Sequence, residues 1–283
     1  MAKVELKQSS APAEEENKQG LRQLQMIELN LLKIFDQICR KNKLTYWIAY
    51  GTLLGAVRHG GFIPWDDDVD VCMPIEDYNK FIEIAESELP EYILLCYKHK
   101  GSGYNKLFAK LMDRRTTLVE KFDALCDGEF RGIYLDIFPY VKYPNISERT
   151  TYFLTKKMLS LCCRKNAYQK ISVYNVVRWI ALSLIFALFR AVWRILSFGN
   201  TGPYMELIPE DNGYVKRVHR DVIFPLKSLT FEGTSFPVPC NPDEYLRIMY
   251  GDYMTLPPIE KRTPHYLFFS VDKPYPHALG MEK

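Results

Sequence analysis

The sequence predicts an α+β fold, a mixed sheet core with flanking helices and a helical insertion. Three observations point there. Apolar residues recur at spacings of three and four over 21–42, short β-branched and aromatic runs alternate with glycine and proline breaks from 45 to 138, and the stretch 142–222 turns helical and basic. With 283 residues, 47% of them hydrophobic and 14% aromatic, the chain fills a substantial core in one large domain or two small ones.

In order, residues 1–20 carry Ser, Ala, Pro and Glu14-Glu15-Glu16 without apolar periodicity, so they read as a disordered, solvated tail. They contain no apolar core of a secretory signal. Leu24, Ile27, Leu31, Ile34, Phe35 and Ile38 form the stripe of an amphipathic helix that Asn42 ends. Residues 45–50 predict a strand running into a Gly51-Thr52 turn, and 53–59 a helical turn or two whose first N–H groups point back at it. Gly60-Gly61 and Pro64 break the chain before 68–73, where charged and apolar residues alternate as in a strand. Pro74, with Glu76 and Asp77 in the first turn, opens a helix that Pro90 closes. Residues 92–97, 107–112 and 132–138 are further strands, and 150–160 a helix. The apolar run between Arg178 and Arg190 is 11 residues long, short of the roughly 20 that a bilayer span needs. From Phe224 the chain predicts short strands, a helix over 242–249 and an ordered tail. The division expected is a tail over 1–20, a catalytic core over 21–141, a helical basic insertion over 142–222 and a C-terminal strap over 223–283.

The net charge of +3 hides an asymmetry. Between Arg149 and Asn200 lie nine basic residues and no acid, which leaves −6 for the remainder. Those basic residues are interleaved with aliphatic runs, unlike a nucleic-acid groove, so no nucleic-acid partner is expected. The seven cysteines have neither CxxC spacing nor a nearby His at zinc spacing, and read as reduced core thiols of a cytosolic protein.

The chemistry concentrates at Asp68 and Asp70. On one strand face they would stand roughly 6.5 Å apart, close enough to hold divalent ions between them. Carboxylates placed where a strand wants Val or Ile are costly unless a cation meets them. Asp136, between Leu135 and Ile137, is the natural third acid, with a helix cap or salt bridge as its plain alternative. Asp66 and Asp67 read equally well as a solvated turn. Gly51 would let backbone amides approach a phosphate, and the Thr52 hydroxyl would donate to it. Glycine, a hydroxyl residue, a gap of 15 and then Asp-apolar-Asp is the pattern of the nucleotidyltransferase superfold.

The residues Gly51-Thr52-Leu53-Leu54-Gly55-Ala56-Val57-Arg58-His59-Gly60-Gly61-Phe62-Ile63-Pro64-Trp65-Asp66-Asp67-Asp68-Val69-Asp70 resemble the LicD-type phosphotransferases, a family that includes fukutin and its related protein. So do Asp136-Ile137-Phe138-Pro139 and Tyr250-Gly251-Asp252-Tyr253-Met254-Thr255-Leu256-Pro257-Pro258, with Lys261, Arg262 and His265 behind. The resemblance implies a nucleotidyltransferase-like core that moves a phospho-alcohol from a CDP-alcohol donor to a glycan hydroxyl, releasing cytidine monophosphate. It implies Mg²⁺ or Mn²⁺ at Asp68, Asp70 and Asp136. Arg58 and Lys110 are the candidate phosphate contacts, a solvated strand-end lysine being the other reading of Lys110. Trp65 stacks a base or sugar, or packs in the interior; His59 is a candidate base that a two-metal scheme does not need; Lys261, Arg262 and His265 line a pocket or form a structural strap. Residues 170–198 are expected on an anionic membrane, on the inner face of the plasma membrane, bringing the enzyme to a lipid-linked glycan; a buried basic-ended helix pair is the alternative. Two rival functions remain: a nucleotidyltransferase releasing pyrophosphate, and a non-catalytic membrane-peripheral assembly protein.

Overall fold

A computed structural model of the chain describes residues 11–99, 108–120, 131–142, 173–197, 204–207 and 216–275, with Tyr104, Lys106 and Phe153. Its elements are α1 (Ala11–Lys41), β1 (Trp47–Ile48), α2 (Tyr50–His59), β2 (Asp70–Pro74), α3 (Ile75–Glu88), β3 (Ile93–Cys96), β4 (Ala109–Asp113), β5 (Thr117–Glu120), β6 (Ile133–Lys142), α4 (Val173–Ser197), β7 (Tyr204–Leu207), β8 (Val218–His219), α5 (Arg220–Ile223), β9 (Lys227–Phe231), β10 (Thr234–Val238), α6 (Pro242–Tyr250) and β11 (Tyr266–Ser270). The α+β class and the mixed sheet are as the sequence predicts. Residues 1–10 of the expected tail lie outside the described residues, as does the 150–160 helix apart from Phe153.

The chain divides into two compact units. The first contains 1–138, 228–238 and 252–283, the second 139–227 and 239–251. In the first, the strands run in the order β1-β2-β6-β4-β3, with β1 antiparallel to β2 and β4 antiparallel to both β3 and β6. This register sets Lys110 opposite Asp136, a pairing that matters below. β11 pairs antiparallel with β5, laying the C-terminal segment beside the sheet strands. The α1 stripe is buried at Leu24, Leu31, Phe35 and Ile38. Leu24 joins Leu118, Ile133 and Tyr134 in the core, while Phe35 packs edge-on against Tyr46 and Phe81 at 4.9 and 5.0 Å.

In the second unit, β7 pairs with Tyr140–Lys142 of β6 and with β8, and the Tyr140 and Tyr245 hydroxyls share a hydrogen bond of 3.2 Å. α4 carries Tyr174, Val177, Ile180, Leu184, Leu188 and Ile195 in exposed positions. No helix among the described residues is long and apolar enough to cross a membrane.

Several boundaries differ from expectation. Residues 11–20 belong to α1 rather than to a disordered tail. Gly51 and Thr52 lie inside α2, not in a turn before it, because Tyr50 adopts a left-handed φ of 44° that reverses the chain within one residue. β2 begins only at Asp70, so Asp68 precedes the strand rather than sharing a face of it. α4 extends well beyond its 11-residue apolar centre, and β5, β7, β8 and β11 carried no clear period-two signal. Cys39, Cys72, Cys96 and Cys240 are free thiols, as expected.

Candidate active site

The site assembles where β2, β6 and α2 converge. The Ala49 amide donates to the Asp70 carbonyl at 3.0 Å, the Asp70 amide to Thr52 Oγ1 at 2.8 Å, and the Asp136 amide to the Val69 carbonyl at 2.9 Å. These three bonds lock the acid-bearing backbone to its neighbours. Thr52 is almost fully buried, and its oxygen accepts the Asp70 amide and so latches that backbone. Gly51 also meets a steric demand. A Cβ there would stand 2.7 Å from Asp66 Oδ2, so only glycine leaves the Asp66 carboxylate its seat.

The acid triplet splits into distinct roles. Asp67 is 2% exposed and accepts the backbone N–H groups of His265 at 2.8 and 2.9 Å and of Tyr266 at 2.9 Å. It is neither a solvated turn nor a ligand in waiting; it pins the start of β11. That pin brings His265 Nδ1 to 3.2 Å from Asp67 Oδ1 and 3.8 Å from Asp68 Oδ2. Among the described residues, the set of three whose ligand atoms all lie within 4.8 Å of one another is Asp66, Asp68 and His265. Asp66 is thus more than a turn residue, and His265 enters the site from nearly two hundred positions away. Asp70 and Asp136 stand beside this set, and each feels the charge of its acidic neighbours.

The electrostatics are lopsided. Burial, and then Asp68 and Asp136, push the Asp70 carboxyl well above the usual range; burial, Asp68 and Asp67 do the same to Asp66. Asp68 is pushed up to about 6 by burial against the opposing pull of His265. Asp136 also reaches about 6, burial outweighing Lys110 and Lys106. The hydrogen bond to Asp67 raises His265 to about 9, so its imidazole is cationic at neutral pH.

Lys110 is not the solvated strand-end lysine of one expected reading. It is 1% exposed, with Nζ 3.2 Å from Asp136 Oδ1 and 3.4 Å from Glu120 Oε1, so it supports both carboxylates. Arg58 is half-buried, donating from Nη1 to the Tyr253 carbonyl at 2.7 Å and from Nε to His59 Nε2 at 3.0 Å. It lies in the field of Asp66 and of Arg262, whose own Nε donates to the Pro257 carbonyl at 2.8 Å. The Arg262 guanidinium stands 4.9 Å from the centre of the half-buried Trp65 ring, so Trp65 is not deeply packed.

A family model described as "LicD/FKTN/FKRP, nucleotidyltransferase domain" matches residues 43–170, a span holding the latch, Asp66, Asp68, Asp70, Lys110 and Asp136. The lipopolysaccharide cholinephosphotransferase LicD of Haemophilus influenzae is 33% identical over 264 residues, covering 87% of this chain and 96% of that protein. The chain belongs to the LicD family. It is a LicD-like phosphotransferase with a nucleotidyltransferase-like core, and the family's transfer of phospho-alcohols sets the class of its reaction. The ribitol 5-phosphate transferase FKRP of Homo sapiens is 46% identical over 43 residues, 15% of this chain and 9% of that protein. Mannosyltransferase regulator 4 of Saccharomyces cerevisiae is 26% identical over 113 residues, 38% of this chain and 9% of that protein. The similarity to these two covers only a small part of each.

Proposed function

We propose that this LicD-family enzyme transfers a phosphocholine-like or ribitol-phosphate-like group from a CDP-alcohol to a hydroxyl of a cell-surface glycan or its lipid-linked precursor, releasing cytidine monophosphate. The observation that carries the reading is the gathering of Asp66, Asp68, Asp70 and Asp136 beside the start of α2, where burial raises all four carboxyls and repulsion among them adds to it at Asp66, Asp68 and Asp70. Carboxylates so placed want a multivalent counter-charge.

The residues fit a divalent cation, since Asp66 and Asp68 offer two carboxylates within ligand reach of one another and of the His265 imidazole, which joins them only on giving up its proton. Asp68, Asp70 and Asp136 would hold Mg²⁺ or Mn²⁺, with Asp66 and His265 adjoining. Bound there, the ion would neutralise the donor diphosphate and favour ionisation of the attacking hydroxyl. The chain's own groups supply the rest. Thr52 fixes the Asp70 backbone, and Lys110 holds Asp136. Asp136 or Asp70 assists removal of the proton from the acceptor hydroxyl. Arg58 and Arg262 are each tied to a backbone carbonyl by one N–H and offer their remaining donors to the phosphate oxygens. The oxygen of the acceptor attacks the phosphorus that bears the alcohol, and cytidine monophosphate departs with the bridging oxygen.

The exposed apolar face of α4 supports a peripheral seat on an anionic membrane surface, on the cytoplasmic side, within a stretch that holds basic residues and no acid. Flotation with anionic vesicles tests it, and no binding overturns it.

The reaction is tested by incubating the enzyme with Mg²⁺ and a panel of CDP-alcohols, with and without a glycan acceptor, and measuring cytidine monophosphate. Acceptor-dependent release that Asp68→Asn abolishes is expected. Pyrophosphate released from a nucleoside triphosphate would favour nucleotidyl transfer instead. Turnover unchanged in Asp68→Asn would remove the acids from the chemistry.

A further inference from the structure

The scheme above leaves one buried acid without a task. Glu28 of α1 is 0% exposed, and neither of its carboxylate oxygens has a hydrogen-bond partner among the described residues. Burying an ionisable group with no partner is costly, and such groups are rare outside functional sites. Helix stability does not require it: Leu24 and Leu31 on the same stripe are fully buried, so an apolar residue would suit position 28.

The place to which Glu28 is directed follows from its neighbour one turn earlier. Gln25 donates from Nε2 to the carbonyls of Ile63 at 3.3 Å and Asp66 at 3.0 Å, which holds this face of α1 against the segment bearing the acids. Residues three apart on a helix share a face, so Glu28 faces the same segment. The charges it feels most strongly are those of Asp68, Asp67, Asp66 and Asp70, all of its own sign. Burial and these four acids push the Glu28 carboxyl well above its usual range, so in the bare protein it stabilises nothing and gives up its proton only when a cation arrives. It strengthens the hold on a cation that the whole cluster shares.

We propose that Glu28 is a positioning residue of the cation site, an inner carboxylate behind Asp68 and Asp70 that raises affinity for a divalent ion without touching the substrate. This rests on the reading that the acid cluster binds such an ion.

The test is Mn²⁺ binding by titration calorimetry on the full chain, with thermal melts in the presence and absence of Mn²⁺. Glu28→Gln keeps the shape and removes the charge. The expected result is a Kd weakened about tenfold, the scale of outer-shell partners in metal sites, with the metal-free melting temperature kept or raised. Glu28→Leu, which restores an apolar stripe, weakens Mn²⁺ equally, and Glu28→Asp retains most of the affinity. A Kd in Glu28→Gln and Glu28→Leu equal to that of the wild type overturns the proposal, whatever happens to the melting temperature. Failure of the wild type itself to bind Mn²⁺ is a separate outcome, because it overturns the metal reading on which Glu28's role depends. Asp70→Asn serves as the control that abolishes binding in the same assay.

Discussion

The acids along β4 and β5 and the acids at the start of β2 belong to the same unit, and both sets are largely buried, yet their surroundings are opposite. Asp113 receives Arg115 at 2.6 and 3.0 Å and the Arg115 amide at 2.9 Å. Glu120 is met by Lys106 at 3.2 Å, by Lys110 at 3.4 Å and by the Tyr134 hydroxyl, so that, although burial pushes its carboxyl up, the two lysines hold it down at about 2. At the start of β2, Asp68 and Asp70 have mainly each other, Asp136 and a single imidazole, and their carboxyls rise. Burial alone therefore does not distinguish a structural acid from a functional one. The supply of counter-charge does, and Lys110 stands at the boundary, shared between Glu120 on one side and Asp136 on the other.

The largest test of that contrast is Asp70→Asn. Removing the charge is expected to lower kcat by about a thousandfold or more, on the scale of losing a principal electrostatic group in an active site. The metal-free melting temperature should at the same time stay level or rise, because a repelled carboxylate has gone. A variant that loses stability and keeps turnover would place Asp70 with Asp113 and Glu120. The converse variant is Glu120→Gln. It leaves the ammonium groups of Lys106 and Lys110 without their main counter-charge, and a loss of about 3 kcal/mol in denaturant unfolding is expected.

This distinction was only partly visible in the sequence. The alternation around Val69 and Val71 and the apolar flanks of Asp136 announced which acids lie at the sheet, since a strand periodicity is local. Partners are not local. Nothing near Lys110 reveals that strand register would set it opposite Asp136, and nothing near Asp67 reveals that the amides of His265 and Tyr266 arrive from the far end of the chain. Trp65 was hard to place for the same reason, its cover being Arg262. Glu28 was legible in principle: it falls between Leu24 and Leu31 at spacings of four and three, an acid standing in an apolar stripe.

Asp67→Ala sharpens the comparison within the triplet itself. Its two neighbours are expected to tolerate neutralisation, whereas Asp67 accepts the backbone amides of His265 and Tyr266 and ion-pairs with the His265 ring. Hydrogen bonds to a charged group are worth about 2 kcal/mol, so a destabilisation of about 2–4 kcal/mol is expected from denaturant unfolding. Amide exchange in β11 should quicken more than exchange in β4. Exchange accelerated equally in both strands would show that Asp67 does not act through the β11 segment.

The smallest effect, and the one that reads both regions in a single measurement, is the pH dependence of metal-free stability. Asp68 and Asp136 have folded values near 6, above the ordinary 3.8 of the unfolded chain, so the folded state binds their protons more readily. Their contribution is complete below about 3.8 and is lost as pH rises through 6. His265, raised to about 9, adds stability that is complete below 6.5 and lost as pH rises through 9. Glu120, held at about 2, runs the other way, but its contribution is lost only as pH falls below 4.5 and on through 2. Between pH 7.5 and 5 the acids at the start of β2 and the imidazole therefore act together, and Glu120 is constant. The metal-free melting temperature is expected to rise over that interval. Saturating Mn²⁺ should cancel or reverse the rise, because protons and the cation compete for the same oxygens. A melting temperature that falls from pH 7.5 to 5 without metal would mean that the acids at the start of β2 are paired as fully as Glu120, and the contrast between the two regions would not hold.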